Sequence, residues 1–371
     1  MDGARADVSD VTEEPSVPET SVAPPRIHLR AASYGLALVL MIGWLLWIGK
    51  TVFTPILFGI IALYILSAAS DALARMPVFR LVSPWALKVL VLIAFFVAAF
   101  WLLGLTVASF ARVVAELPAY EDNLDRLVSR GANLAGISGE PTWAALRSVT
   151  LDRFDATSLI APITGSVTGI GGAVFLTILY AFFLFAERVR FGAKLARATA
   201  DPKRADRMLA LLSRVNERIG RYLLTKTLIN TILGVASYFI LVLIGIEFAA
   251  FWAVLIAVLN YVPYLGSLLG VILPTLLSLA QFGTFAMAGV TLVLLTVAQV
   301  VVGAVLEPRM MGRAVNLSPF VVLLALAAWG TLWGIAGAVL AIPLTAALVI
   351  LLAEIPATRP VAIMLSANGR V

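Results

Sequence analysis

Three features of the sequence predict an all-α, polytopic integral membrane protein with about eight membrane segments. The 371-residue chain is 61% hydrophobic and only 13% charged, about half the charge of an ordinary soluble domain. Its mean hydropathy is +1.01. Many apolar windows reach the ~20 residues that carry a helix across a bilayer core. No ten-residue stretches of alternating hydrophobicity occur, which argues against a membrane β-barrel.

Residues 1–32 are rich in Pro, Ser, Thr and acids. They lack the apolar side chains needed to fold and are expected to form a disordered cytoplasmic tail. No cleavable leader is expected, because the first apolar run begins near Ser33 and the start is acidic. The predicted membrane segments are 33–49, 53–70, 88–111, 160–186, 222–245, 248–281, 285–306 and 317–352. Thus 33–111 forms an N-terminal membrane region, 112–159 a small external helical region, 160–352 a C-terminal membrane domain and 353–371 a second cytoplasmic tail. Lys50 and Pro55 mark the joint between the first two segments. Segments 248–281 and 317–352 would each reach roughly 50 Å as straight helices, against a core of about 30 Å. Both carry Gly and aromatic residues near the middle and Pro beyond it, so each is read as a helical hairpin.

Lys and Arg set the orientation. The stretch 187–221 holds ten basic residues against four acids, whereas 112–159 holds five against seven. Arg26, Arg30, Arg359 and Arg370 flank the membrane region at its two ends. Both termini and 187–221 are therefore placed in the cytoplasm, and the topology closes if both long segments cross an even number of times. The net charge of +6 reports these basic loops, and no nucleic-acid partner is expected.

Two amphipathic stretches stand out. Val113, Leu117, Tyr120, Leu124 and Leu127 form an apolar stripe that predicts an external helix over 113–128. That stripe fits a second subunit or its own chain equally well. In the other stretch, Asp201 is the expected N-cap and Pro202 the first helical residue. Met208, Leu212, Val215, Ile219 and Tyr222 make its stripe, flanked by Lys203, Arg207, Arg214, Arg218 and Arg221. Two readings stay open: an interfacial helix touching anionic headgroups across 203–221, or a cytoplasmic extension of segment 222–245.

Enzymatic chemistry finds little support. There is no cysteine, and the lone histidine, His28, lies in the tail. No Walker loop or His-Glu-x-x-His motif occurs, and no cofactor or metal is expected. "GSVTGIGG" at 165–172 lacks a neighbouring Lys and is read as a close-packing surface.

The informative residues lie in the last third. Asn260, Tyr261, Pro263, Tyr264, Gly266, Gly270 and Pro274 interrupt one long segment. Gly330, Gly334, Gly337 and Pro343 interrupt the other. A proline in a helix costs about 3 kcal/mol and a glycine about 1. Broken backbone survives at membrane depth only inside protein or against a water-filled cavity, and paired interrupted segments point to a transporter's binding region. Each glycine taken alone also fits simple helix packing. Glu307 and Arg309 flank Pro308 and are expected to pair and fix the turn, with a gate as the functional alternative. Arg313 joins them as a gate candidate. Asn260, Gln281 and Gln299 are candidates for bonds across helices or to a polar solute. Lys226 lies one turn from Asn230 and is read as reaching for the cytoplasmic surface.

"RYLLTKTLIN" (221–230), "NYVPYLGSLLG" (260–270), "LEPRMMGR" (306–313), "LSPFVVLLAL" (317–326) and "WGTLWGIAGAVLAIPLT" (329–345) resemble, in order and spacing, the autoinducer-2 exporter family of bacterial inner-membrane permeases. The resemblance implies roughly eight helices, transport without ATP and homo-oligomers, with a pentamer as the expected form. It implies export of a small polar solute such as the quorum signal autoinducer-2, or, alternatively, sodium(lithium)/proton antiport. A non-transporting scaffold assembled through 113–128 is a third possibility that the residues leave open.

Overall fold

In the computed structural model, residues 29–79, 82–134, 156–199, 201–311 and 316–369 are described. The chain divides into residues 1–45 and 46–371. The first unit contributes most of α1 (Leu29–Ile48). The second holds α2 (Lys50–Ala74), α3 (Pro84–Glu116), α4 (Glu121–Leu134), α5 (Ala156–Ala198), α6 (Pro202–Ile244), α7 (Ala249–Leu259), α8 (Leu265–Phe282), α9 (Phe285–Val300), α10 (Glu307–Met311), α11 (Pro319–Glu354) and α12 (Arg359–Leu365). Among the described residues no strand forms beyond an isolated bridge between Leu317 and Ser366. Among the described residues, five helical stretches, against the eight segments expected, are long and apolar enough to cross a membrane, and shorter apolar helices lie at Ser33–Ile48, Ala86–Val97, Gly171–Leu184 and Ala249–Leu259; the polytopic helical class holds.

Residues 202–221 continue into the apolar segment 222–245 as one helix, since α6 runs unbroken for 43 residues. Asp201 caps it, its side chain accepting from the Lys203 N–H at 2.9 Å, and Pro202 opens it. Gly245 ends it with φ 84°, a conformation glycine adopts without a Cβ penalty. The 113–128 stripe does not form one helix. A 3-10 turn, Leu117–Tyr120, separates α3 from α4, where Pro118 cannot donate a helical hydrogen bond. Tyr120 nevertheless joins the main core, with Val113 and Leu124 packed against it, so this apolar face covers its own chain.

The main core lies among α6, α7, α8 and α9, around Ile229, Leu233, Leu241, Ile256 and Leu295. α6 and α7 approach closely at Gly234, where a Cβ would stand 3.0 Å from that of Ala257. A second core joins α2, α3 and α5 through Ala62, Leu66, Val91, Phe96 and Ala181. The close-packing role expected of 165–172 is not found at Gly171 or Gly172, which face open space. It is taken by Gly59 on α2, where a Cβ would lie 3.1 Å from the Ala181 nitrogen on α5. The remaining side chains of 165–172, the tail 1–28 and most of 135–159 lie outside the described residues.

Candidate functional site: two folded-back hairpins and a buried polar track

Both long segments fold back, as their lengths require. In the first, α7 and α8 are joined by residues 260–264, where Tyr264 takes φ 64°. Ile256 faces Gly270, and a Cβ on Gly266 would stand 1.9 Å from the Leu259 carbonyl oxygen. The arms are therefore antiparallel and touch at the tip. In the second, Gly334 breaks α11 with φ 63° and ψ −140°, close to a region that only glycine occupies. Trp329 then donates its indole N–H to the Thr345 hydroxyl at 3.0 Å. Sixteen residues of straight helix would hold these groups about 24 Å apart. Gly337 repeats the role of Gly266, since its Cβ would meet the Trp329 carbonyl oxygen at 1.8 Å. Gly330 has no positive φ and does not create the break, although, like Gly334, it has nothing within 4 Å of a Cβ. Pro263 lies in the first turn, and Pro343 is buried on the returning arm of α11.

Measured along α6, the hairpins point in opposite directions. The base of the first lies at the C-terminal end of α6. There Gln281 donates to the Gly245 carbonyl at 2.8 Å and accepts from the Glu247 N–H at 3.0 Å. On the same side Asn123 donates to the carbonyls of Ala280 (3.1 Å) and Gln281 (2.8 Å), closing the end of α8. Tyr120 donates to Glu247; burial first, and then the Glu247 carboxylate, pushes that phenol well above its usual range. The tip reaches back to Thr227 and Asn230. The second hairpin starts at the opposite end, where Arg214 meets Glu354 at 2.5 Å. Its returning arm lines one cavity wall from Ala346 to Glu354, opposite Arg214 to Arg221. It therefore rises toward the C-terminal end of α6 as it approaches Gly334. Near its tip, Trp333 donates to the Leu46 carbonyl at 2.9 Å.

The first tip meets a stripe on α6 made by Tyr222, Lys226 and Asn230, spaced four apart so that all three share one buried face. Lys226, 3% exposed, donates to the Glu307 carboxylate at 2.8 Å. It does not reach for the surface, because a carboxylate 81 residues away is brought beside it. The expected Glu307–Arg309 pair is thus replaced, and Arg309 is exposed. The cause is local. Pro308 cannot donate a hydrogen bond and crowds the turn before it, and Val301–Leu306 form a π-helical turn in which the Glu307 N–H reaches the Val302 carbonyl. Such a bulge adds a residue to the turn and rotates the side chains beyond it by about 100°. Arg313 lies outside the described residues.

One turn further along α6, the Asn260 amide donates to the Asn230 side-chain oxygen at 2.8 Å, both groups buried. Ser267 donates to Asn260 at 3.4 Å. Thr227 and Tyr261 share a hydrogen bond of 2.7 Å. Two buried side-chain amide nitrogens, on Asn230 and Gln299, have no hydrogen-bond partner among the described residues. The Gln299 amide lies beside Gly270, 3.2 Å from where a Cβ would stand. Burying such a donor without a partner costs about 1–3 kcal/mol, so each marks a place suited to a hydrogen-bond acceptor.

The structure therefore gathers Asn260, Tyr261, Gly266, Gly270 and Glu307 at one tip, while Gly334, Gly337 and Pro343 belong to the other hairpin. Tyr264, by contrast, is 59% exposed. Lys226, Thr227, Ser267, Trp329 and Thr345 complete the two tips. On the α6 side the sequence signals Lys226 and Asn230, one turn apart, and the motif at 221–230 that contains them; it sets Tyr222 in a different stripe.

Residues 36–357 match the profile of the AI-2E family transporters. The "AI-2 transport protein TqsA" of Escherichia coli K12 is 26% identical over 90% of this chain and 96% of its own length. "Putative transport protein YhhT" of the same organism is 31% identical over 69% of this chain and 72% of its own length. A like-named protein of Borreliella burgdorferi is 34% identical over 48% of this chain, which covers 49% of that relative. With a match over most of its length, and two Gly-broken hairpins set within apolar helices, the chain belongs to the AI-2E family of transporters.

Proposed function

We propose that the protein is an ATP-independent permease of the bacterial inner membrane that exports a small polar solute, with both termini cytoplasmic. Autoinducer-2 is the first candidate cargo, because the relative TqsA is named for its transport. One observation carries this reading: a buried row of amide, hydroxyl and charged groups meets the tip of an interrupted hairpin. The unpartnered amides of Asn230 and Gln299 suit a solute rich in acceptor oxygens. The opposed directions of the hairpins support access to this row from two sides. We assign the working form to a homo-oligomer, with a pentamer as the expected state.

The test is solute efflux from vesicles. Glu307→Ala removes the partner of Lys226, and Gly270→Leu drives a side chain into Gln299 and Ile256. Both are expected to abolish efflux while membrane insertion and oligomeric mass stay unchanged. Normal efflux from both overturns the assignment of this track.

The Lys226–Glu307 pair also favours a second reading, cation/proton antiport, because a charged pair at membrane depth is costly and commonly marks ion or proton paths. Sodium-driven proton movement that is lost in Glu307→Gln supports it. Solute efflux without any proton movement removes it.

A further inference from the structure

A polar cavity lies apart from the hairpin track, where α6 extends beyond its apolar part. Its volume is about 660 Å³, within the range of ligand pockets. Arg214, Arg218 and Arg221 line one wall, Arg359 at the start of α12 another, and Glu217 and Glu354 stand among them. Leu317, Val349 and Ile350 give it an apolar side. The spacing 214, 218, 221 is that of one helix face, so the three guanidinium groups converge.

The charges do not balance. Arg214 is held by Glu354 and Arg221 by Glu217, each at 2.5 Å. Neither Arg218 nor Arg359 meets a carboxylate among the described residues, which leaves two positive charges over in one concavity. The walls are tied together independently of any ligand. The Ala367 N–H donates to the Asn316 carbonyl at 3.3 Å, Asn316 donates to Asn368 at 2.7 Å, and Ala362 is fully buried against Val321 and Val349. Arg359 is thus carried on a helix docked across from α6, and not on a loose tail.

We propose that this cavity binds a phosphate group between α6 and the C-terminal helix, with Arg218 and Arg359 as the principal donors and Arg214 and Arg221 as flanking ones. Guanidinium groups bind phosphate through paired, charge-assisted hydrogen bonds. The apolar side would accept the non-phosphate body of the ligand. A lipid headgroup and a soluble phosphate ester share this chemistry. The proposal does not rest on the permease reading.

The experiment measures thermal unfolding of the purified full-length protein in detergent, with three titrants: phosphatidylglycerol, phosphatidylcholine and inorganic pyrophosphate. The variants are Arg218→Gln/Arg359→Gln, both at exposed positions, and Arg207→Gln, an exposed arginine of α6 outside the cavity. A Tm rise with phosphatidylglycerol but not phosphatidylcholine assigns a lipid source. A rise with pyrophosphate assigns a soluble one. In either case the double variant should bind about tenfold more weakly or worse, and Arg207→Gln should bind as the parent does. No Tm rise with any anion overturns the proposal, and so does an equal loss in Arg207→Gln and the double variant, which would mark diffuse attraction to a basic helix.

Discussion

Replacing either partner of the Lys226–Glu307 pair should destabilise the protein unequally. The Lys226 side chain is 4% exposed and that of Glu307 is 31% exposed, at 2.8 Å. Breaking a buried pair from one side costs about 3–5 kcal/mol, because an unpaired charge is left in a poor solvent. Glu307→Gln strands a buried ammonium and belongs near the low end of that range, since the new amide still accepts one hydrogen bond. Lys226→Met leaves a carboxylate that water can reach, so its cost should be about 1–2 kcal/mol after solvent screening. The double variant Lys226→Met/Glu307→Gln should recover about half or more of the summed loss, giving a coupling of about 2–3 kcal/mol. Equilibrium unfolding by dodecyl sulfate in mixed micelles measures all four corners of the cycle. Additive effects, or a larger loss from Lys226→Met, would refute the geometry. Vesicle efflux then separates two roles. A double variant that is stable but inactive places the charges in transport, whereas restored efflux makes the pair a structural clasp.

The glycines of the hairpins should divide sharply on substitution by alanine. Gly266→Ala and Gly337→Ala each require a backbone carbonyl to retreat by about 1 Å, from contacts of 1.9 and 1.8 Å, and should lower the yield of folded protein on size-exclusion chromatography. Gly330→Ala meets nothing within 4 Å and should raise the unfolding free energy by about 0.5–1 kcal/mol, as expected in a helix interior. Asn123→Ala removes both hydrogen bonds that close the C-terminal end of α8 and should cost about 1–2 kcal/mol, seen as faster amide exchange at 280–284 with little change near Asn230.

What the sequence made legible is governed by short-range physics. Apolar length and composition were enough for the polytopic helical class, and excess length alone required 248–281 and 317–352 to fold back. The Asp201–Pro202 start of α6 was readable because a cap is satisfied within three residues of itself. The identity of the breaking glycine was not readable. Gly330, Gly334 and Gly337 look alike in sequence, and only the path of the arms decides which one turns and which one lies under a carbonyl. The partner of Glu307 was missed for a similar reason. Arg309 is two residues away, but neighbours at that spacing do not face each other on a helix. Lys226 is 81 residues away yet lies within 2.8 Å once the π turn before Pro308 has re-aimed the acid.

The two hairpins share a backbone device but differ in chemistry, and this suggests a division of labour. The first tip is polar, with Asn260, Tyr261 and Ser267 set against α6. The second tip is aromatic: Trp329 and Trp333 lie with ring centres 5.2 Å apart, and each indole N–H is spent on holding the protein together. If the first recognises solute and the second only positions helices, Trp333→Phe should change rate and not affinity. The substitution keeps a ring in a site that is 8% exposed and removes one hydrogen bond to the Leu46 carbonyl, a loss of about 1 kcal/mol. Efflux kinetics should show a severalfold change in maximal rate at an unchanged half-saturating solute concentration. A rise in that concentration with the rate preserved would place the second tip on the solute's path, and the division drawn from the chemistry of the tips would fail.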